Sequence, residues 1–149
     1  MELPYRRCVV AVVIDEQQRC LVGERRGMEG AWQLPQGGIE DGEQPTEALL
    51  RELGEEIGCA DVEILVSAPD PVTYRFPPDL KTHFSSRYAG QTQDWFLVRL
   101  RQGAEPDLSL GDGEFQRLDW RHPREIVQGI VEWKREAYIK GLIQFKLWP

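Results

Sequence analysis

Three glutamates on one predicted helix carry the chemistry that this sequence most directly suggests. Glu52, Glu55 and Glu56 stand at i, i+3 and i+4, a spacing that brings their side chains onto one patch of a helix. Like charges at this spacing repel each other by about 0.2–0.5 kcal/mol per pair, so the cluster is unfavourable by itself. It becomes favourable when a hard cation that prefers oxygen ligands, Mg²⁺ or Mn²⁺, binds among the carboxylates. Because acidic helix faces are more often simply solvated, the cluster needs a second feature to indicate a metal site.

A glycine-containing loop directly before this helix supplies the second feature. Gly37 and Gly38 let the backbone approach a ligand or a metal closely, and such loops ahead of helices serve phosphate sites. The helix is predicted over about 45–57, because Pro45 suits the first helical position and Gly58 suits a stop. Loop and helix together favour phosphate chemistry that depends on divalent metal ions.

The remaining chain predicts the strands and helices that hold this loop and helix in place. A β-branched run over 7–14 indicates a buried strand, and 19–26 is expected to return beside it as a hairpin. A final amphipathic helix is expected over 131–147, after a short helix that opens at His122. Further strands are expected at 32–34, 62–66, 72–76, 93–100 and 114–120, with a polar surface loop over 77–88. The sequence therefore predicts one α/β domain over residues 1–149, with a mixed central sheet and helices on its faces.

Composition and charge narrow the class of protein. A hydrophobic content of 41% and a charged content of 29% are typical of a soluble globular protein. No apolar run approaches the roughly 20 residues of a membrane span, and the N-terminal residues resemble neither a signal nor a transit peptide. We therefore expect a cytoplasmic protein without a membrane partner. The net charge of −7 argues against coating nucleic acid through bulk electrostatics, so no DNA partner is expected, although cations can still bridge the protein to a phosphate substrate.

Cysteine and histidine are too sparse for the usual metal and nucleophile sites. Cys8, Cys20 and Cys59 are an odd set without CxxC spacing, so neither a disulfide framework nor a structural zinc site is expected. The two histidines, His83 and His122, lie far apart and outside any metal-ligand spacing. Carboxylate chemistry is therefore favoured over histidine or cysteine chemistry.

The full spacing around the glutamates resembles the Nudix box, G-x5-E-x7-R-E-U-x-E-E-x-G-U, where U is a bulky aliphatic residue. The chain has Gly37, then Glu43, then the run Arg51-Glu52-Leu53-Gly54-Glu55-Glu56-Ile57-Gly58-Cys59 in this register. All fixed polar and glycine positions match, and the one departure is Cys59, which packs as a small hydrophobe at the last U position. The resemblance implies a Nudix-type α/β/α sandwich that hydrolyses a nucleoside diphosphate linked to another group, with water attacking phosphorus.

The resemblance also implies a metal and catalytic set. It implies two or three Mg²⁺ or Mn²⁺ ions per active site, with Arg51 and Glu43 orienting the ligands. The general base is left between two residues, Glu52 as first choice and Glu114 as second. The implied metal ligands are Gly37, through its carbonyl, and Glu52, Glu55, Glu56 and Glu114, and the implied catalytic residues are Arg51, Glu52, Glu56 and Glu114.

Segments outside the box resemble one Nudix subgroup, the bacterial RNA pyrophosphohydrolases and the similar dinucleoside polyphosphate hydrolases of bacteria and plants. The most specific segment is Trp32-Gln33-Leu34-Pro35-Gln36-Gly37-Gly38-Ile39. The subgroup implies 5′-triphosphorylated RNA or a dinucleoside polyphosphate as substrate, with basic residues on phosphates and aromatic residues stacked on bases. The substrate-binding residues that the resemblance implies are Arg6, Arg25, Arg26, Gln36, Tyr74, Trp133 and Lys134.

Several alternatives stay open at this point. A dedicated diadenosine polyphosphate hydrolase shares the same site. The basic loop over 81–87, with Arg99 and Arg101, slightly favours RNA because it can guide a strand, but it is equally well interpreted as ordinary surface. A nucleotide-sugar or oxidised-nucleotide hydrolase keeps the box but usually lacks the outer segments. A binding module without turnover usually has a degenerate box, whereas this box retains every acidic ligand. Trp133 is equally well interpreted as a core residue of the last helix, and the sequence identifies no protein partner.

Overall fold

A computed structural model describes residues 2–82 and 84–149, and His83, named above, lies outside the described residues. Within these ranges the chain forms two β-sheets and three α-helices. The elements in chain order are β1 (Tyr5–Val13), β2 (Cys20–Arg25), β3 (Trp32–Gln33), β4 (Gln36–Gly38), α1 (Pro45–Ile57), β5 (Val62–Ser67), β6 (Val72–Arg75), β7 (Gly90–Leu100), a 3-10 turn (Leu108–Leu110), β8 (Phe115–Arg121), α2 (Pro123–Gly129) and α3 (Glu132–Ile143). The expectation of a single domain over 1–149 stays a prediction.

The larger sheet is mixed, and its strand order is β4-β1-β7-β5, with β6 also paired to β7. β1 runs parallel to β7, while β4, β5 and β6 are antiparallel to their neighbours. The short strand β4 contains Gly37 and Gly38 and pairs with β1 through Cys8 opposite Gly38. The glycine loop is therefore an edge strand of the sheet, held by backbone hydrogen bonds to the buried part of β1.

A second, three-stranded sheet corrects the predicted connection between the first two strands. After a single bridge between Ile14 and Cys20, β2 leaves β1 and pairs antiparallel with β3 and β8. The predicted hairpin is therefore wrong. The physical reason is that β2 is buried on both faces, with Val22 in one apolar cluster and Leu21 in the other. Periodicity indicates which faces of a strand are buried, but it does not indicate the strand's partner.

Helices cover both faces of the larger sheet and create two apolar clusters. On one face, α1 packs residues such as Leu49 and Leu53 against β1 and β7. On the other face, α3 packs Tyr138 and Leu142 against strand residues that include Trp95. Burying a side chain of this size stabilises the fold by about 1.5–3 kcal/mol. The α/β class, the mixed sheet and the helices on its faces are confirmed.

The ends of α1 agree with the sequence prediction. Pro45 is its first residue, and a carboxylate oxygen of Glu47 accepts the backbone N–H of Gln44 at 2.9 Å. Gly58 ends the helix with φ 68° and ψ 20°, a left-handed conformation in which its N–H donates to Leu53 O. The last helix, α3, is shorter than the predicted 131–147. None of the helices in the described ranges is long and apolar enough to cross a membrane.

The buried carboxylate of Glu24 joins the strands of the second sheet. Its side chain is fully buried, and it accepts hydrogen bonds from Arg117 Nε and Nη2, both at 2.8 Å. Gln116 Nε2 donates to the same carboxylate at 2.7 Å, and the backbone N–H of Gly30 donates at 2.8 Å. These donors, Arg117 foremost, lower the pKa of Glu24 to about 2. The ionised carboxylate therefore ties β2 to β8 and to the turn before β3.

We predict that Glu24→Gln makes the protein less stable at neutral pH, with a difference that disappears in acid. The folded pKa lies near 2 and the ordinary value near 4.5, so the charged form stabilises the fold above about pH 4.5. This contribution is lost as the pH falls from about 4.5 towards 2. Urea denaturation at several pH values measures the effect, with the exposed Glu63→Gln as control. A difference in unfolding free energy that stays constant down to pH 2 would contradict the prediction.

Candidate active site

Arg51 connects the glycine loop to the carboxylates of α1. Its Nε and Nη2 donate to the Glu43 carboxylate at 2.8 and 2.9 Å, and Nη2 also donates to Gly38 O at 2.7 Å. Its Nη1 donates to Glu52 Oε1 at 2.8 Å and lies 3.4 Å from Glu55 Oε2. A guanidinium has a fixed planar fork of donors, so these bonds set the angle between the loop and the helix.

Arg51 forms ion pairs with four carboxylates: Glu43, Glu52, Glu55 and, at 3.8 Å, Glu40. Glu47, one helical turn before Arg51, caps the start of α1 instead. The hydrogen bonds from Arg51 hold the pKa of Glu43 at about 2, so this carboxylate is ionised throughout the physiological range. Glu43 is therefore a fixed anionic anchor for Arg51 on the loop side.

Glu56 is the most deeply buried carboxylate of the cluster, with only 2% of its surface exposed. Its Oε1 accepts the backbone N–H of Gln36 at 2.7 Å, which holds the glycine loop against α1. Its Oε2 is buried and has no hydrogen-bond partner among the described residues. Burial and, after it, the neighbouring Glu114 carboxyl raise the pKa of Glu56 to about 10. Glu114 acts both by its charge and because it can share a proton with Glu56 when no cation is present. Leaving a buried polar atom unpaired costs about 1–3 kcal/mol, so a group that pairs with Oε2 would remove a real penalty.

Glu52 lies against the backbone of the glycine loop. A Cβ atom at Gly37 would collide with the Glu52 carboxylate, so only glycine leaves room for this approach. Burial raises the pKa of Glu52 to about 7, although Arg51 opposes the shift. Glu55 is more open to solvent than Glu52. The Gly37 backbone and the Glu52 carboxylate are thus brought together, as a shared cation site would require.

Glu114 reaches the α1 carboxylates although it precedes β8 in a different part of the chain. The backbone N–H groups of Asp107 and Asp112 donate to the carbonyls of Ile57 and Glu55, at 2.8 and 2.6 Å. These bonds dock the connection before β8 on the last turn of α1 and satisfy carbonyls that a helix end leaves free. The docked connection brings Glu114 near Glu56 and Glu52, where its charge raises the pKa of both.

The donor set fits a divalent cation by its chemistry. All the groups offer oxygen, Glu56 is buried, and its Oε2 has no hydrogen-bond donor, as expected at a position where a hard cation binds. Across residues 2–82 and 84–149, however, no group of three or more acidic, cysteine or histidine side chains is already gathered around one point. Arg51 holds Glu52 and Glu55 towards itself, so those two carboxylates must turn to share an ion. The assigned ligand set stays a prediction.

A cleft of about 610 Å³ adjoins the carboxylates. Glu52 and Glu55 line it together with Arg6, whose guanidinium lies against Gly38. Arg87, from the loop between β6 and β7, lines the same cleft. Acidic and basic groups therefore share one cavity, an arrangement that can hold a polyphosphate between cations and arginines.

The other basic candidates lie around the end of β2. Burial, together with the nearby charge of Arg25, lowers the pKa of Lys134 to about 8. Arg26 donates from Nε to Gly113 O at 2.6 Å, and its backbone N–H donates to Glu114 O at 2.8 Å. The structure thus brings Arg25 and Lys134 together, whereas Arg26 supports the segment that carries Glu114. The phosphate contacts assigned to these residues stay predictions.

Trp133 belongs to an aromatic cluster at the edge of the protein. It is half-buried, and its ring centroid lies 5.8 Å from that of Tyr74 and 6.1 Å from that of Phe76. Lys134 Nζ lies 5.2 Å from the Trp133 ring centroid, so a cation borders the cluster. Trp133 belongs to neither apolar cluster, so the alternative of a core residue on the last helix is not supported. Phe76 was missed by the sequence analysis, although it lies two residues after Tyr74 and thus on the same side of an extended strand.

A row of buried amides, also missed, supports Gln36. Trp95 Nε1 donates to Gln93 Oε1 at 3.0 Å, and Gln93 Nε2 donates to Gln91 Oε1 at 3.0 Å. Gln93 Nε2 also lies 3.4 Å from Gln36 Oε1, where the row reaches the glycine loop. The signal in the sequence was the alternation of Gln91, Gln93 and Trp95 on one face of a central strand. Polar residues on a buried strand face must find hydrogen-bond partners, and here they hold the loop.

We predict that Arg51→Lys lowers the free energy of unfolding of the metal-free protein by about 1–3 kcal/mol, because lysine cannot replace the forked hydrogen bonds. The matched control is Arg101→Lys, since Arg101 pairs with Asp61 at 3.5 Å and both are well exposed. Exposed pairs contribute about 0–1 kcal/mol, so the control should change little. Urea denaturation in the presence of a chelator measures both variants. Equal losses would mean that Arg51 has no special structural role.

Comparison with known proteins identifies the family of this chain. Residues 4–140 match the NUDIX domain. The chain is 41% identical over 146 residues to an RNA pyrophosphohydrolase of Helicobacter pylori, covering 95% of this chain and 94% of that protein. It is 40% identical over 156 residues to Nudix hydrolase 26, chloroplastic, of Arabidopsis thaliana, covering 97% of this chain and 72% of that protein.

The fold also has solved counterparts. The structure of the E. coli dihydroneopterin triphosphate pyrophosphohydrolase superposes with a TM-score of 0.67 at 20% identity, covering 94% of this chain and 98% of that one. At this identity the likeness concerns the fold alone. The match over residues 4–140, the two similar sequences and the shared fold lead to one conclusion. This chain belongs to the Nudix family.

Proposed function

We propose that this protein is a metal-dependent pyrophosphohydrolase that removes pyrophosphate from the 5′-triphosphate end of RNA and also cleaves dinucleoside polyphosphates. Membership of the Nudix family and relatives named RNA pyrophosphohydrolase indicate the pyrophosphohydrolase class. The observation that carries the proposal is the buried Oε2 of Glu56, which lacks a hydrogen-bond donor and lies next to Glu114 and Glu52. Glu52 in turn lines a cleft that acidic side chains share with arginines. Such an oxygen is explained by a cation that also binds the substrate's phosphates.

In the proposed site, divalent ions would be held by carboxylates from two segments of the chain. When bound, Mg²⁺ or Mn²⁺ neutralises a polyphosphate, acidifies a bound water and stabilises the leaving oxygen. Two or three ions per site are proposed, because the carboxylates outnumber the ligands that one Mg²⁺ usually takes from protein. The proposed ligands are Glu52, Glu55, Glu56, Glu114 and the carbonyl oxygen of Gly37.

The residues of the chain then orient the carboxylates, bind the substrate and accept a proton from the attacking water. Arg51 holds Glu52 next to the loop, and we assign Glu52 as the first candidate for the general base and Glu114 as the second. Catalysis of this kind needs the base within hydrogen-bonding reach of the attacking water, and both residues border the same cluster. Glu56 has a positioning role: its Oε1 holds the glycine loop through the N–H of Gln36, and its Oε2 would hold a metal ion.

The substrate would extend from the carboxylates to the aromatic cluster. Basic and amide side chains contact the phosphates, and stacking on an aromatic ring contributes about 1–3 kcal/mol per base. The proposed phosphate contacts are Arg6, Arg25, Arg26, Gln36 and Lys134, and the proposed stacking residues are Tyr74 and Trp133. The cytoplasmic location and the absence of membrane and DNA partners stay predictions of the sequence.

A dedicated diadenosine polyphosphate hydrolase is the second candidate. The cluster formed by Tyr74, Phe76 and Trp133 is compatible with this candidate, because three adjoining rings offer a surface for an adenine base. The same surface equally suits the first base of an RNA chain. The two candidates share every catalytic residue, so only a comparison of substrates separates them.

The test is a side-by-side assay with Mg²⁺ of a short 5′-triphosphorylated RNA and diadenosine tetraphosphate, with Glu56→Gln as the blank. We expect turnover of both, with the higher kcat/KM for the RNA. A strong preference for the dinucleotide would select the second candidate. Activity on neither substrate, with nucleotide binding retained, would overturn the proposal in favour of a binding module.

We also predict that Glu52→Gln reduces kcat at least a hundredfold, on the order of the loss of a general base, while the fold stays intact. Circular dichroism and urea denaturation check the fold. The control variant is Glu63→Gln, because Glu63 is an exposed glutamate on β5. A Glu52→Gln variant with nearly normal kcat would transfer the proton-accepting role to Glu114.

A further inference from the structure

The part of the loop between β6 and β7 that covers residues 84–88 forms one wall of the cleft next to the carboxylates. Phe84, Arg87 and Tyr88 from this loop line the same cavity of about 610 Å³ as Glu52 and Glu55. The sequence predicts this loop only as polar surface whose basic part, over 81–87, can guide RNA. Its position at the cleft gives it a more direct connection to the chemistry.

Within the cleft, the Arg6 guanidinium is held between this loop and the glycine loop. Arg6 Cζ lies 4.1 Å from the centroid of the Phe84 ring, the distance of a close cation–π stack. On the glycine-loop side, a Cβ atom at Gly38 would lie 2.5 Å from Arg6 Nη2, so the guanidinium occupies space that only glycine leaves open. Arg6 is thus confined by an aromatic ring and by bare backbone.

This confinement has a consequence for binding. A free arginine side chain has many rotamers, and ordering it on contact with a ligand reduces affinity. Stacking uses the flat faces of a guanidinium and leaves its N–H donors, which lie in the plane, available to a phosphate. An arginine stacked beforehand therefore binds a phosphate group more tightly than a free one.

We propose that Phe84 is a positioning residue that stacks on Arg6 and presents its guanidinium to the phosphates of the substrate. This inference deepens the proposed function and depends on it for the nature of the phosphate group. Phe84 acts through Arg6 rather than on the substrate itself. Because Arg6 binds phosphate before and during the reaction, the loss of its orientation raises KM and leaves kcat nearly unchanged.

The first experiment compares Phe84→Leu, which removes the ring, with Phe84→Trp, which keeps an aromatic face. For Phe84→Leu we expect KM and the Kd for inorganic triphosphate to rise about three- to tenfold, the range that an orienting cation–π contact supports. kcat should stay within about twofold, and Phe84→Trp should restore the wild-type values. Leu80→Ala, in the same loop but lining a different cavity, is the matched control.

The second experiment is a double-mutant cycle with Arg6→Ala. If Phe84 acts through Arg6, Phe84→Leu has no further effect on the Kd for inorganic triphosphate once Arg6 is removed. An equal effect in both backgrounds, or an equal effect of Leu80→Ala, would overturn the inference, because the loop shape would then matter rather than the stack. Unchanged binding in Phe84→Leu would overturn it as well.

The two proposals fail in different ways. Binding of inorganic triphosphate that depends on the Phe84–Arg6 pair, without turnover of either nucleotide substrate, supports the inference and overturns the proposed function. Turnover of the substrates without coupling between Phe84 and Arg6 supports the function and overturns the inference. Failure of the wild-type protein to bind inorganic triphosphate would contradict the assigned role of Arg6 and with it the inference.

Discussion

The arrangement of the site depends on the hydrogen bonds of Arg51. One guanidinium binds Glu43 and Gly38 in the loop and Glu52 on the helix, so a single side chain joins the two parts that form the cluster. Without it, the Glu52 and Glu43 carboxylates would face each other uncompensated, and their repulsion would separate loop and helix. Glu52 and Glu55 both approach Nη1 of Arg51, so a cation that binds between these two carboxylates must compete with Arg51 for them.

The strand β1 brings the metal side and the phosphate side of the site together. Cys8 pairs with Gly38 in β4, and two residues earlier Arg6 pairs with Gln91 in β7. Arg6 and the glycine loop are therefore adjacent because one buried strand pairs with both neighbours. The apolar clusters on either face keep this strand rigid, and a rigid strand places the polar groups at its end more accurately than a flexible loop can.

Local signals in the sequence predicted the features that depend only on residues close together in the chain, such as the ends of helices. The bounds of α1 follow from Pro45 and Gly58, and the structure confirms both. Contacts between distant segments had no such signal. Examples are the pairing of β2 with β8 and the docking of residues 107–112 on the end of α1. The place of Glu114 was implied by family resemblance alone, and the stack of Phe84 on Arg6 was missed because nothing in the local sequence around either residue indicates it.

The central claim is that the buried Glu56 and the carboxylates around it hold the ions on which catalysis depends. Calorimetric titration with Mn²⁺ tests it most directly, because it measures the ions without substrate or turnover. The account predicts clear Mn²⁺ binding to the wild-type protein and at least a tenfold loss of affinity in Glu56→Gln, equivalent to about 1.4 kcal/mol or more. Glu63→Gln should bind as the wild type does. Equal Mn²⁺ affinity in the wild-type and Glu56→Gln proteins would contradict the account.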